Sequence, residues 1–170
     1  MNYKTRLLVR AAIIAALYAV LTHLQNLLLP GSASWASQCR LAEALCVLAF
    51  FTPAAIPGLT VCSLVFNITV AAALPQDWLV GSLATLIAAT AIWHMRSIKF
   101  RGYPLLGMLM PALTNAILVG WELTVYIGGG FQLNGLYVAL GEMIVMLTVG
   151  TALLRVLDKR SLAKRLFPDS

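Results

Sequence analysis

Long apolar runs separated by short polar breaks organise this chain. Apolar residues fill position after position without the strict alternation of a half-buried strand, and the runs are long, which reads as membrane-spanning helices. Six segments follow, at about 6–29, 38–51, 54–74, 78–95, 104–127 and 132–157. Pro30-Gly31 with SASWAS ends the first, and Thr52-Pro53 separates the second from the third. Pro75 to Asp77, the basic loop from Arg96 to Arg101 and Gly128-Gly129-Gly130 mark the later turns. The second segment, QCRLAEALCVLAFF, is short: about 14 residues make roughly 21 Å of α-helix, less than the roughly 30 Å of a hydrocarbon core. Pro57 falls in the first turn of the third segment, where a missing N–H is harmless. The tail KRSLAKRLFPDS reads as an amphipathic end.

Composition agrees with the pattern. Of 170 residues, 61% are hydrophobic and 11% are charged, with a mean hydropathy of +0.88. Soluble domains are about 45–50% apolar and about 25% charged. At about 20 residues per span, the expected fold is an all-α integral membrane protein, one domain over 1–170 with six transmembrane helices and no soluble catalytic unit. The first run is longer than the 7–15 residues of a signal-peptide core, so it is expected to remain as the first span.

Charge then sets a topology. The net charge is +6, but its distribution says more than its sum. Lys4, Arg6 and Arg10 precede the first run, Arg96, Lys99 and Arg101 share one loop, and Arg155, Lys159, Arg160, Lys164 and Arg165 close the chain. With six spans all of these fall on one side and Arg40 alone on the other, so the positive-inside rule puts both termini in the cytoplasm. Basic charge so placed does not argue for nucleic acid.

Several chemistries lack their motifs. Cys39, Cys46 and Cys62 show no CxxC or Cys/His spacing and read as small packing residues. His23 and His94 would lie near opposite membrane faces, so no metal site is expected. GxxxxGK[ST], HExxH and G-x-S-x-G are all missing from the sequence.

The candidate chemistry is carboxylate. Glu43, Glu122 and Glu142 all lie inside apolar segments, where ionisable groups are costly and mark a cavity or a partner. Glu43 and Glu122 are each about five residues from the outer end of their helices, and Glu142 about ten, near the midplane at 1.5 Å per residue. Asn115, Glu122 and Tyr126 share one helical stripe, and Asn134, Gly141 and Glu142 another. Asn67 and Gln38 lie at similar depth. These residues predict a polar pocket that opens outward. The competing reading is a set of interhelical hydrogen bonds with one Arg40–Glu43 or Arg40–Glu122 ion pair, but it leaves two carboxylates without a cation.

Two further features are open. Trp35, Trp78 and Trp121 suit an interfacial aromatic belt, with Trp35 also placed to act as a stacking lid over a planar ring. Ala11, Ala15 and Ala19, with Ala12 and Ala16, make a smooth stripe on the first helix that packs either inside the bundle or against another subunit.

The stretches SQCRLAEALCVLAFFTPAAIPGLTVCSLVFNI, GSLATLIAA, NAILVGWEL and LNGLYVALGEMIV, in this order, resemble the QueT family of queuosine-precursor transporters. The chain departs from that pattern at Cys39 and at Val61-Cys62-Ser63. The resemblance implies a substrate-binding S-component of an energy-coupling factor (ECF) importer in a prokaryotic cell membrane. It implies a pocket on the outer side closed by the loop after the first helix, and assembly with a transmembrane scaffold and two ATPases. ATP would be used by those partners, with no cofactor in this chain. In such subunits an alanine-spaced first helix meets the scaffold, a role that would fall to Ala11, Ala12, Ala15, Ala16 and Ala19.

On that resemblance the ligand is a 7-deazaguanine base, whose adjacent N–H donors suit a carboxylate. The aminomethyl base, the cyano base and queuine all fit. Glu43, Glu122 and Glu142 are the expected principal ligands, with Arg40 orienting Glu43, amides from Gln38, Asn67, Asn115 or Asn134, and an aromatic such as Trp35 or Tyr126. The alternatives are an S-component for another vitamin-like solute, a membrane enzyme acting on a lipid or isoprenoid, and a structural membrane subunit.

Overall fold

The computed structural model describes residues 2–30, 32, 39–69, 76–159 and 162–168. They form helices in this order: α1 (Tyr3–Leu28), a 3₁₀ helix (Leu41–Phe50), α2 (Ala55–Thr69), α3 (Asp77–Met95) and α4 (Leu105–Tyr126). There follow α5 (Phe131–Val145), a π-helical turn (Met146–Gly150), α6 (Thr151–Lys159) and α7 (Leu162–Leu166).

Four stretches among the described residues are long and apolar enough to cross a membrane: α1, α3, α4 and the run Phe131–Asp158. The 3₁₀ helix and α2 are shorter apolar helices. Leucines, isoleucines and valines stay exposed along α1, α3, α4 and α5, which gives the bundle an apolar exterior suited to lipid.

The second predicted segment departs most from expectation. It is a 3₁₀ helix rather than an α-helix, and it begins at Leu41 rather than near Gln38. Ten residues at about 2.0 Å rise span roughly 20 Å, the length expected of about fourteen α-helical residues. Every residue from Ala42 to Phe50 is buried, because the segment runs through the middle of the bundle and packs against α1, α2, α3, α4, α5 and α6. An element enclosed on all sides has no apolar stripe from which its period can be read.

Around this axis the long helices pack in chain order, α1 on α2, α2 on α3, α3 on α4 and α4 on α5. Glycine sets the closest approaches. A Cβ on Gly58 of α2 would stand 2.7 Å from the Ala11 carbonyl oxygen of α1, and one on Gly120 of α4 would stand 2.8 Å from the Gly135 Cα of α5. The π turn packs on the 3₁₀ helix, and the Val47 methyl lies 3.4 Å from where a Gly150 Cβ would be. The sixth predicted segment is thus continuous in path but carries a π turn one helical turn beyond Glu142.

The basic clusters share one end. The Arg10 guanidinium of α1 lies 5.7 Å from the Phe167 ring centre after α7, and the Arg155 guanidinium of α6 lies 5.5 Å from the Tyr103 ring. At the opposite end buried or partly buried amides tie the connections to the helices. Gln25 donates to the Cys39 carbonyl and accepts from the Leu41 N–H at 2.8 Å. Asn67 donates to the Asp77 carbonyl at 2.9 Å, and Asn134 to the Gly128 carbonyl at 3.0 Å. Gly128 and Gly129 take the turn with φ of 88° and 84°, a region that favours glycine.

Candidate functional site

The buried ionisable side chains gather where the 3₁₀ helix, α1, α3, α4 and α5 meet. Three residues per turn bring side chains at i and i+3 into register, so Arg40, Glu43 and Cys46 follow one another along one edge. The Glu43 carboxyl is 1% exposed and is held on both oxygens. Tyr18 of α1 donates its hydroxyl to Oε1 at 2.7 Å, and the Cys46 thiol donates to Oε2 at 3.2 Å. Arg40, expected to orient Glu43, acts on it electrostatically, and Tyr18 and Cys46 add direct donors, so Cys46 is more than packing.

Glu142 of α5 is wholly buried. Asn115 of α4 donates to its Oε1 at 3.2 Å. Among the described residues its Oε2 has no hydrogen-bond partner, and neither has Oε1 of Glu122, itself 1% exposed. Glu122 stands within hydrogen-bonding reach of the Asp77 carboxyl at the start of α3. Arg40 lies within electrostatic range of Tyr18, Glu43, Glu142 and Asp77, and its charge also reaches Glu122.

Buried acceptors are ordinarily paired, and an orphan one costs about 1–3 kcal/mol, more for a charged group. Two such carboxyl oxygens in one cluster give the bundle a region with acceptor capacity left over. That arrangement can receive N–H donors or a cation.

The predicted set divides. Glu43, Glu122, Glu142, Arg40 and Asn115 come together. Asn67 and Asn134 give their amides to helix ends: Asn67 borders the cluster through the Asp77 carbonyl, and Asn134 also donates to Thr124 at 3.0 Å. Tyr126, 44% exposed in the last turn of α4, points away from the cluster even though Glu122 one turn earlier is buried. Trp35 and Gln38 lie outside the described residues. Of the alanines on α1, Ala11 is buried against Gly58, Ala15 and Ala19 pack at the edge of the core, and Ala12 and Ala16 are exposed.

Sequence reasoning missed Tyr18 and Gln25, although the spacing announced them. Tyr18, Thr22 and Gln25 fall on one helical face, and all three are buried on the inner side of α1. Asp77 was missed because it sits at a helix start, where an acid complements the backbone dipole and ordinarily needs no other explanation.

No curated protein and no solved structure matches the chain. The profile of the QueT transporter family matches residues 8–159, nearly the whole length. That match agrees with an apolar, multi-helical chain, and it makes the protein a transporter and not an enzyme. The chain belongs to the QueT transporter family.

Proposed function

We propose that this chain is the substrate-binding membrane subunit of an ECF-type importer and that it takes up a queuosine precursor, a 7-deazaguanine base, from the outer side. The observation that supports the reading best is the pair of buried carboxyl oxygens, Glu142 Oε2 and Glu122 Oε1, without partners among the described residues. Each carboxylate oxygen has two lone-pair sites. Glu142 therefore accepts the adjacent donors of the base's pairing edge while Oε1 keeps its bond from Asn115.

In this reading the 3₁₀ helix and α2 complete six spans over one domain, and the basic end faces the cytoplasm of a prokaryotic cell with both termini. The carboxylate cluster then opens toward the opposite end, where Asp77 and the Gln25-bound start of the 3₁₀ helix lie. The chain uses no cofactor of its own. ATP is hydrolysed by two ATPase partners, and a transmembrane scaffold meets α1 along the side that carries the exposed Ala12 and Ala16.

Equilibrium binding tests this reading. The aminomethyl 7-deazaguanine base titrated into the purified, detergent-solubilised chain, followed by tryptophan fluorescence, gives saturable binding that guanine competes weakly. A folded sample that binds no such base would overturn it.

A further inference from the structure

The basic end carries a turn that its own sequence does not favour. Between α3 and α4 the backbone folds into a tight hairpin: the Phe100 N–H donates to the Tyr103 carbonyl at 2.8 Å and the Tyr103 N–H to the Phe100 carbonyl at 3.0 Å. Its two central residues, Arg101 and Gly102, both have positive φ, 50° and 85°. Such two-residue turns favour Asn, Asp or Gly at the first central position, and among the described residues Arg101 is the one non-glycine residue in the left-handed region. A long side chain in that conformation persists where something else holds it there. Here it puts a cation at the tip of a loop joining two apolar helices, at the level where hydrocarbon meets water. Phe100 is 65% exposed and Ile98 51%, beside exposed Lys99 and Arg101, and the Arg101 guanidinium lies 5.8 Å from the Phe100 ring centre. Arg155 of α6, over the Tyr103 ring, adds a third cation. Of the chain's six acids, the three glutamates and Asp77 lie in or beside the buried cluster, which leaves Asp158 and Asp169 to balance every lysine and arginine but Arg40.

We propose that this hairpin is a docking site for the headgroup of an acidic phospholipid. Phe100 and Ile98 continue the apolar exterior into the interface, where aromatic rings sit at headgroup depth. Lys99, Arg101 and Arg155 keep their stems on apolar surface and hold their charges in water, and a guanidinium matches a phosphate with paired N–H donors. A zwitterionic headgroup presents the same phosphate with a cation of its own, so three basic side chains discriminate against it. An acidic protein would match the charge, but the apolar side chains of the hairpin sit where lipid surrounds the helix ends, and Leu105 and Leu106 at the start of α4 are exposed beside them. That continuity favours a bilayer. The site lies at the end remote from Asp77 and is independent of what the acid cluster binds.

Native mass spectrometry of the detergent-solubilised chain, titrated with phosphatidylglycerol or with phosphatidylcholine of the same acyl chains, tests the site. The parent is expected to bind phosphatidylglycerol at least about fivefold more tightly, the contribution of about one basic residue near an anionic surface. Arg101→Asn is the informative variant, because asparagine suits the left-handed position and so keeps the turn while removing the cation. It is expected to bind phosphatidylglycerol about fivefold more weakly and phosphatidylcholine within about twofold of the parent, so retained phosphatidylcholine binding reports the fold. Arg101→Lys keeps the charge and is expected to keep the preference. Equal affinity of the parent for the two lipids overturns the proposal. So does a preference undiminished when Arg101→Asn is combined with Lys99→Gln, which would assign it to the basic residues of the chain ends. Displacement of the lipid by inorganic phosphate at equal concentration would make this a site for a free anion, and would overturn the proposal as well.

Discussion

Tyr18 and Glu43, 25 residues apart in the chain, are joined by a hydrogen bond of 2.7 Å between two buried side chains. It fastens the inner face of α1 to the 3₁₀ helix in the middle of the bundle. About two turns further on, Gln25 makes a second attachment to the backbone at the start of the same 3₁₀ helix. The helix that carries the exposed alanines and the segment that carries Arg40 and Glu43 are therefore mechanically one piece.

Tyr18→Phe removes the donor and leaves a buried carboxyl oxygen without it. The expected loss is about 1–3 kcal/mol of stability, seen as a lower unfolding temperature in detergent. An unchanged unfolding temperature would show that this bond does not hold α1 to the 3₁₀ helix.

Gly58→Ala tests the contact of α1 with α2. In an open helix the change gains up to about 1 kcal/mol. Here the new Cβ would meet the Ala11 carbonyl oxygen at 2.7 Å, backbone that cannot swing aside, and overpacking of this kind costs about 1–3 kcal/mol. Packing wins, so the variant unfolds at lower temperature than the parent. Stabilisation would mean that the helices are not so close.

Asn134→Ala separates helix-end amides from the cluster. Its bonds go to Thr124 and to the Gly128 carbonyl, so the expected effect is a stability loss of about 1 kcal/mol with base affinity unchanged. Loss of affinity in a variant of normal stability would return Asn134 to the site.

The side on which the basic end lies is open to direct labelling. In a Cys39→Ser background, a cysteine replacing Lys99 is expected to react with a membrane-impermeant maleimide only after the cells are opened. Labelling from outside intact cells would invert the topology.

The apolar segments were legible because hydrocarbon imposes a composition that needs no knowledge of packing. The breaks at Pro53, at the basic loop and at the triple glycine were also readable, since each names its own backbone requirement. The 3₁₀ geometry was not. Residues Ala42 to Phe50 are buried all round, so neither a period of 3.0 nor one of 3.6 leaves a trace in the pattern, and the alignment of Arg40, Glu43 and Cys46 followed only from the coordinates. The acids were legible by their cost in lipid, but their partners were not. The pairings Tyr18 with Glu43 and Asn115 with Glu142 cross between elements 25 and 27 positions apart. Asn67 and Asn134 misled for the converse reason: an amide at the depth of the acids is also at the depth of the helix ends, and both bind backbone there.

The central claim is that the open carboxyl oxygens receive the solute. The most direct measurement is the affinity of the aminomethyl 7-deazaguanine base for the purified chain and for Glu142→Gln, whose amide puts an N–H donor where the base offers its own. The account predicts saturable binding by the parent and binding at least about tenfold weaker by the variant, with both samples folded. Equal affinity in the two, or no saturable binding by the folded parent, would contradict it.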